Sequence, residues 1–178
     1  MRVIGLAGWS GAGKTTLLVQ LIPVLRERGL TVSTLKHAHH GFEIDRPGKD
    51  SFEHRQAGAS EVLVSSRRRW ALVRELRDEP EPPLADLLQR LSPVDLAIVE
   101  GFKAERHPKI EVHRAANGKP FLFAEIPNVK AIAADGPVPA APIPVVPLDD
   151  VGRVADLVIA MAEPLEALLG RLRGSQDG

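Results

Sequence analysis

The stretch GWSGAGKTT, residues 8–16, constrains this chain more than any other part of it. The apolar run VIGLA at 3–7 precedes it, and Leu17, Leu18, Leu21, Ile22 and Leu25 follow. An unbroken short apolar run is the pattern of a strand buried on both faces of a parallel sheet, and the later spacing marks one face of a helix. The order is therefore strand, glycine loop, helix. Pro23 is expected to kink the helix, Gly29 to stop it, and LTVSTL at 30–35 to form the next strand. Two such strands joined through a helix make a right-handed βαβ unit.

Gly8, Gly13, Lys14 and Thr15 complete the pattern GxxxxGK[ST] in the setting that gives it chemical meaning. Gly11 and Gly13 allow successive N–H groups to turn inward toward phosphate oxygens, and the positive end of the following helix adds to that field. Gly8, Trp9, Ser10, Gly11, Ala12, Gly13, Lys14, Thr15 and Thr16 are thus the expected nucleotide-binding loop. Lys14 is the mobile cation for the β and γ phosphates, the Thr15 hydroxyl is placed for Mg²⁺, and Thr16 supports the helix start.

VDLAIVE, residues 94–100, reads as a central strand with Asp95 near its start and Glu100 at its end. At about 3.3 Å per residue these carboxylates stand about 16 Å apart. Ligands of open α/β sheets sit beyond the carboxyl ends of the strands, so Glu100 is the candidate for Mg²⁺ or its water shell.

The polar segment 36–60 is read as an insertion beside the site, able to act as a switch or lid. Within it Asp45 and Asp50 flank a PGK turn: one carboxylate can organise Mg²⁺ or an attacking water and Lys49 can meet a phosphate, or the segment is only a turn. His37, His39 and His40 raise a metal reading, weakened by the lack of cysteine or a tight carboxylate cluster; anion or partner recognition is the alternative.

Further strands are expected at EVLVSS, RWALVREL, KIEVHR, PFLFAE and VKAIAAD, with helices at PLADLLQRL and over the last segment, split at Pro164. The proline-rich stretch from Gly136 cannot be a regular central strand throughout. Asp135 ends an apolar run late in the sheet, where a carboxylate can accept the N–H groups of a guanine edge. No lysine lies in an [NT]KxD pattern, so base choice is not written in the usual guanine-reading motif.

Composition narrows the partners. The 178 residues carry 23 basic and 23 acidic side chains, giving a formal net charge of +0, and only 5 Phe and 2 Trp. That balance speaks against nucleic acid or an anionic membrane as dominant partner and leaves little for base stacking. Zero cysteines remove disulfide and thiolate chemistry. No apolar stretch approaches the roughly 20 residues of a membrane helix, and the start does not read as a signal peptide. The expectation is a single cytoplasmic P-loop domain over 1–174 with a frayed end at 175–178. Its fold class is α/β, three layers around a mostly parallel sheet with a few additional short strands.

GWSGAGKTTL, TLKHAHHGFEIDRPGKDS with HRQAGA, and VDLAIVEGFKAERHPKIEVHR together resemble the molybdopterin-guanine dinucleotide biosynthesis protein B family. The similarity spans about Arg2 to Asp135, where Ala134 stands in place of a threonine. The resemblance implies a GTP- and Mg²⁺-binding α/β protein, related in architecture to nickel-insertion GTPases and usually a homodimer. It implies weak GTPase activity and an accessory role beside the molybdenum cofactor guanylyltransferase, with molybdopterin a candidate second ligand. By the same resemblance Lys14, Thr15, Asp45 and Glu100 belong to the nucleotide, metal and switch surroundings. The KHAHHGF and EGFK segments then form a surface around them. Lys36, His37, His39, His40, Lys49, Asp50, Gly101, Phe102 and Lys103 are the candidate second-ligand or partner surface, and the local charge of Lys36, Lys49, Lys103 and Lys109 can favour an acidic partner or a pterin phosphate. A small-molecule kinase and a nucleotide-gated metal chaperone are the alternative functions.

Overall fold

A computed structural model describes residues 1–38, 42, 44–138 and 140–174. His39, His40 and the expected frayed end at 175–178 lie outside the described residues. The chain divides into two compact units, Met1–His37 with Pro83–Gly178, and Ala38–Pro82.

The larger unit is built on β1 (Arg2–Ala7), which runs through the glycine loop into α1 (Lys14–Glu27). Pro23 lies inside α1 without dividing it. The helix closes where the Gly29 amide donates to the Arg26 carbonyl at 2.9 Å and the Leu30 amide to the Leu25 carbonyl at 3.2 Å. These bonds satisfy carbonyls that a helix end leaves orphaned. β2 (Val32–Lys36), β5 (Leu96–Glu100), β6 (Lys109–His113), β7 (Val129–Ala134) and β8 (Val145–Pro147) complete a sheet ordered β2-β5-β1-β6-β7-β8. All pairings along that path are parallel. The two-residue β9 (Glu163–Pro164) adds antiparallel to β1.

α1 and α4 (Val151–Met161) cover one face, around Ile4, Leu6, Ile98, Ile110 and Val112. α3 (Leu84–Gln89) and α5 (Leu165–Arg173) cover the other, around Val3, Ala97 and Val99. Helix, sheet and helix layers follow from the near-continuous apolar strands, which must bury both faces. Pro164 falls between α4 and α5. The proline-rich stretch contributes only the three residues of β8, at the sheet edge where a missing donor is tolerated.

PFLFAE, expected as a strand, is instead a run of turns. The Glu111 carboxylate accepts the Leu122 and Phe123 amides at 2.7 and 2.9 Å, donors that a ladder would have used.

In the smaller unit, α2 (Asp50–Gln56) precedes β3 (Glu61–Ser65) and β4 (Trp70–Arg74), which pair with each other as an antiparallel hairpin. Leu63, Val64, Trp70 and Leu72 of that hairpin are exposed. Among the described residues no helix is long and apolar enough to cross a membrane.

Candidate nucleotide site

β1 ends at the centre of the sheet and delivers the glycine loop beyond the carboxyl ends of its neighbours. Gly13 caps α1 at φ +89°, a conformation that favours glycine. A Cβ there would also stand 3.0 Å from Arg114 Nη2. The Lys14 ammonium donates to the Gly8 and Trp9 carbonyls at 3.0 and 3.1 Å. Partial burial holds its pKa below the usual lysine value, while the neighbouring Glu100 charge opposes that shift.

The Thr15 hydroxyl donates to Glu100 Oε1 at 3.1 Å. Glu100 is the last residue of β5, in register with Leu6 of β1 on one side and Lys36 of β2 on the other. It is buried, and the Lys36 ammonium stands 3.8 Å from its Oε1. Thr15 and Glu100 present neighbouring hard oxygens beside the phosphate loop, the donor chemistry that Mg²⁺ requires. Asp95, at the other end of that segment, accepts the Thr31 amide and hydroxyl at 2.8 and 2.6 Å. These bonds hold its pKa below the usual carboxylate value.

The segments after β2 and β5 meet beside the loop. The His37 amide donates to the Glu100 carbonyl at 2.9 Å, and the His37 and Phe102 rings lie 4.7 Å apart. Gly101, at φ +96°, lets this approach occur, since a Cβ would come within 2.8 Å of the His37 Cβ. Phe102 follows at φ +49°, a strained conformation for a bulky side chain. The Lys103 ammonium lies over the Trp9 ring, 4.5 Å from its centroid.

The larger unit therefore brings together Lys14, Thr15, Lys36, His37, Glu100, Gly101, Phe102 and Lys103. Asp45, Lys49 and Asp50 belong to the smaller unit. There Asp45 accepts from the Ser51 hydroxyl at 2.7 Å and Arg55 Nε at 3.2 Å, and the Ser51 bond leads in lowering its pKa. Lys49 and Asp50 open α2. Lys109 is not a surface cation: its side chain is fully buried and donates to the Glu105 and His107 carbonyls. Among the described residues no three His, Cys, Asp or Glu side chains form a metal-holding group.

Sequence reading missed the supports that arrive after β6. Asn117 Nδ2 donates to the Ser10 carbonyl at 3.1 Å, and the Trp9 indole N–H to the Pro120 carbonyl at 2.8 Å. Arg114 reaches Gly13 from the same segment, and Asp135 Oδ2 stands 3.6 Å from its Nη1. Only the adjacency of β6 to β1 brings these residues to the loop; the signal available was their position just past a strand ending beside β1.

A parallel sheet between helix layers, with a complete phosphate loop off its central strand and Thr15 against Glu100, defines a P-loop nucleotide-binding protein. The model of the family "Molybdopterin guanine dinucleotide synthesis protein B" (MobB) matches residues 3–135, and the chain belongs to that family. It is 42% identical over 160 residues to the molybdopterin-guanine dinucleotide biosynthesis adapter protein of Escherichia coli (strain K12), covering 88% of this chain and 91% of that protein. The adapter protein of Haemophilus influenzae is 43% identical over 122 residues, 67% of each chain. The crystal structure of Bacillus subtilis MobB superposes with a TM-score of 0.72 at 25% identity, covering 92% of this chain and 99% of that one.

Proposed function

We propose that this chain is a GTP-binding accessory protein of molybdopterin-guanine dinucleotide synthesis, with slow GTPase activity, assisting a separate guanylyltransferase in the cytoplasm. The observation that carries the nucleotide part is the cluster at the loop: Lys14 on the Gly8 and Trp9 carbonyls, and Thr15 on Glu100. The accessory part is supported by family membership and by the adapter proteins the chain is similar to.

In this reading the loop amides of residues 8–16 bind the phosphate oxygens, and Lys14 exchanges two neutral carbonyls for the terminal phosphates. That exchange places a cation where charge develops during cleavage of the β–γ bond. Thr15 and Glu100 are the residues that hold Mg²⁺, which when bound neutralises charge on the terminal phosphates. Asp45, carried in the 36–60 switch, responds to nucleotide by exchanging its Ser51 and Arg55 partners. His37, Gly101, Phe102 and Lys103 form the surface through which nucleotide state is communicated, because a ligand shifts a partner equilibrium only through differential binding. The same surface is where molybdopterin would be met. A homodimer fits the exposed Leu63, Trp70 and Leu72 of the β3–β4 hairpin, which a second copy can cover.

The test is calorimetry of GTP and ATP with and without Mg²⁺, alongside reconstitution of guanylyltransferase turnover with and without this protein. Lys14→Ala is expected to weaken triphosphate binding by about 100-fold, roughly two lost charge-assisted hydrogen bonds, with the fold intact. Wild-type GTP binding by that variant would remove the loop from the mechanism. If the protein neither binds the guanylyltransferase nor changes its rate or yield in any nucleotide state, the accessory role fails. Phosphotransfer from ATP to a defined acceptor would put a kinase in its place.

A further inference from the structure

The phosphate loop opens on one side into a cleft of about 700 Å³ whose floor is shared with the loop itself. Gly13, Thr16, Leu17 and Gln20 form that floor, and β8 together with the segments that follow β7 and β8 forms the far wall. A nucleotide whose phosphates lie on the loop amides has its sugar and base directed over the start of α1, and this cleft is continuous with that start. Pro137, Val145, Pro147 and Leu148 give the wall apolar surface for a flat ring, and Arg114 offers a guanidinium plane at its edge.

Two carboxylates line the cleft, Asp135 and Asp149. Their bonding differs. Asp135 Oδ1 accepts the Ala115 amide at 2.7 Å, and its Oδ2 stands 3.6 Å from Arg114 Nη1. Asp149 is exposed, and among the described residues no donor or cation meets its carboxylate. Its backbone is fixed, the carbonyl accepting the Val151 amide at 3.0 Å where α4 begins.

We propose that this cleft holds the purine and that Asp149 reads its edge, while Asp135 is a positioning residue that holds Arg114 and the turn at Ala115. The proposal rests on the nucleotide-binding reading above and extends it to base choice. Guanine offers N1–H and the 2-amino group side by side, a paired donor that a free carboxylate accepts with both oxygens. Adenine offers an unprotonated N1 at the matching place, which a carboxylate repels. This selection needs no lysine of the [NT]KxD kind.

The test is competition binding of GTP, ATP and XTP to the full chain, wild type against Asp149→Asn and Asp135→Asn, with circular dichroism to verify the folds. Wild type is expected to prefer GTP over ATP by about 10- to 100-fold, the span of one or two charge-assisted hydrogen bonds. Xanthine carries a carbonyl in place of the 2-amino group, so an asparagine amide matches it. Asp149→Asn should lose about 10-fold in GTP affinity and gain XTP affinity by a similar factor. Asp135→Asn should weaken GTP and ATP together and gain nothing for XTP. A gain that misfolding cannot produce thus marks the reader. An unchanged GTP:XTP ratio in Asp149→Asn, a xanthine switch in Asp135→Asn, or equal wild-type binding of ATP and GTP would each overturn the proposal while leaving the phosphate site standing. Wild-type protein that binds none of the three would instead overturn the nucleotide reading itself.

Discussion

β5 and β6 flank β1 on its two sides, run parallel to it, span five residues each and are buried throughout. Their chemistry is opposite. β5 is LAIVE, four apolar residues that end in one carboxylate at the phosphate loop. β6 is KIEVH, with Ile110 and Val112 in one core and Lys109, Glu111 and His113 buried on the other face. Buried polar groups persist only when partnered, and the loops beside β6 supply partners. Lys109 reaches the Glu105 and His107 carbonyls, and Glu111 takes two amides of the turn at 121–126. His113 stacks on Phe121 and bonds the Lys119 carbonyl at 3.1 Å. One strand delivers a carboxylate from an apolar interior to the side of Thr15. The other uses its polar interior to fix the loops that buttress Trp9 and Ser10.

The comparison breaks most easily at Glu111. Burial pushes its pKa up, and the Leu122 and Phe123 amides oppose that shift. Glu111→Leu leaves both amides without an acceptor, with an expected loss of about 4 kcal/mol, from about 1–3 kcal/mol per buried orphan plus repacking. At this chain length that is about 8–16 °C in melting temperature. Thermal unfolding of the variant checks it: a melt within about 2 °C of wild type would mean the β6 carboxylate does not organise the turn.

His107, just before β6, is fully buried, packs where a side chain on Gly5 would collide with it, and has neither ring nitrogen hydrogen-bonded among the described residues. Burial first, and then the Lys109 charge, push its pKa down to about 3. The folded value lies below the unfolded one, so between these values the unfolded chain binds the extra proton. The contribution is therefore complete above about pH 6.5 and is lost as pH falls toward 3. From pH 6.5 to 5 the wild type should lose about 2 kcal/mol relative to His107→Gln in denaturant unfolding. Parallel pH profiles would show that the imidazole is protonated in the folded state.

Lys109 gives the alkaline counterpart. Burial pushes its pKa down to about 8, opposed by Glu105. The unfolded chain binds more protons between pH 8 and 10.5, so stability rises with pH across that window, by about 1 kcal/mol from pH 8 to 9. Lys109→Met should abolish that rise. If the rise persists in the variant, Lys109 remains charged through the window and β6 carries a true buried cation.

The two strands were unequally legible for the same reason. β5 could be read as a central strand with Glu100 at the site, because an apolar run ending in an acid is a local pattern. β6 was recognised as a strand, but its lysine was read as a surface cation, since a one-dimensional pattern does not say which loops fold over a strand. PFLFAE misled in the same way: its alternation suits a strand, yet Glu111, eleven residues before Leu122, captures its amides. The phosphate loop was fully visible because its geometry is made by consecutive residues. Arg114, Asn117 and Asp149 were not, because only the order β1-β6-β7-β8 gathers them around α1.

The sharpest form of the comparison has the smallest effect on stability. Glu100→Gln keeps an acceptor for the Thr15 hydroxyl and removes a long pair to Lys36, whose side chain is 61% exposed, together with the charge attraction to Lys14. A change within about 0.5 kcal/mol in unfolding free energy is expected, since the lost attraction is offset by relief of the desolvation of a buried carboxylate. The nucleotide effects should separate by metal. A carboxylate beside the loop repels phosphate oxygens, so without Mg²⁺ the variant should bind GTP as well as wild type or better. With Mg²⁺ the charge that would offset the ion is gone, and affinity should fall by about 10- to 100-fold, one or two charge-assisted contacts. Calorimetry at matched ionic strength, with EDTA in one arm and Mg²⁺ in the other, reads both signs. Equal losses in the two arms would mean that Glu100 shapes the loop as Glu111 shapes its turn, and the division of labour between β5 and β6 would not hold.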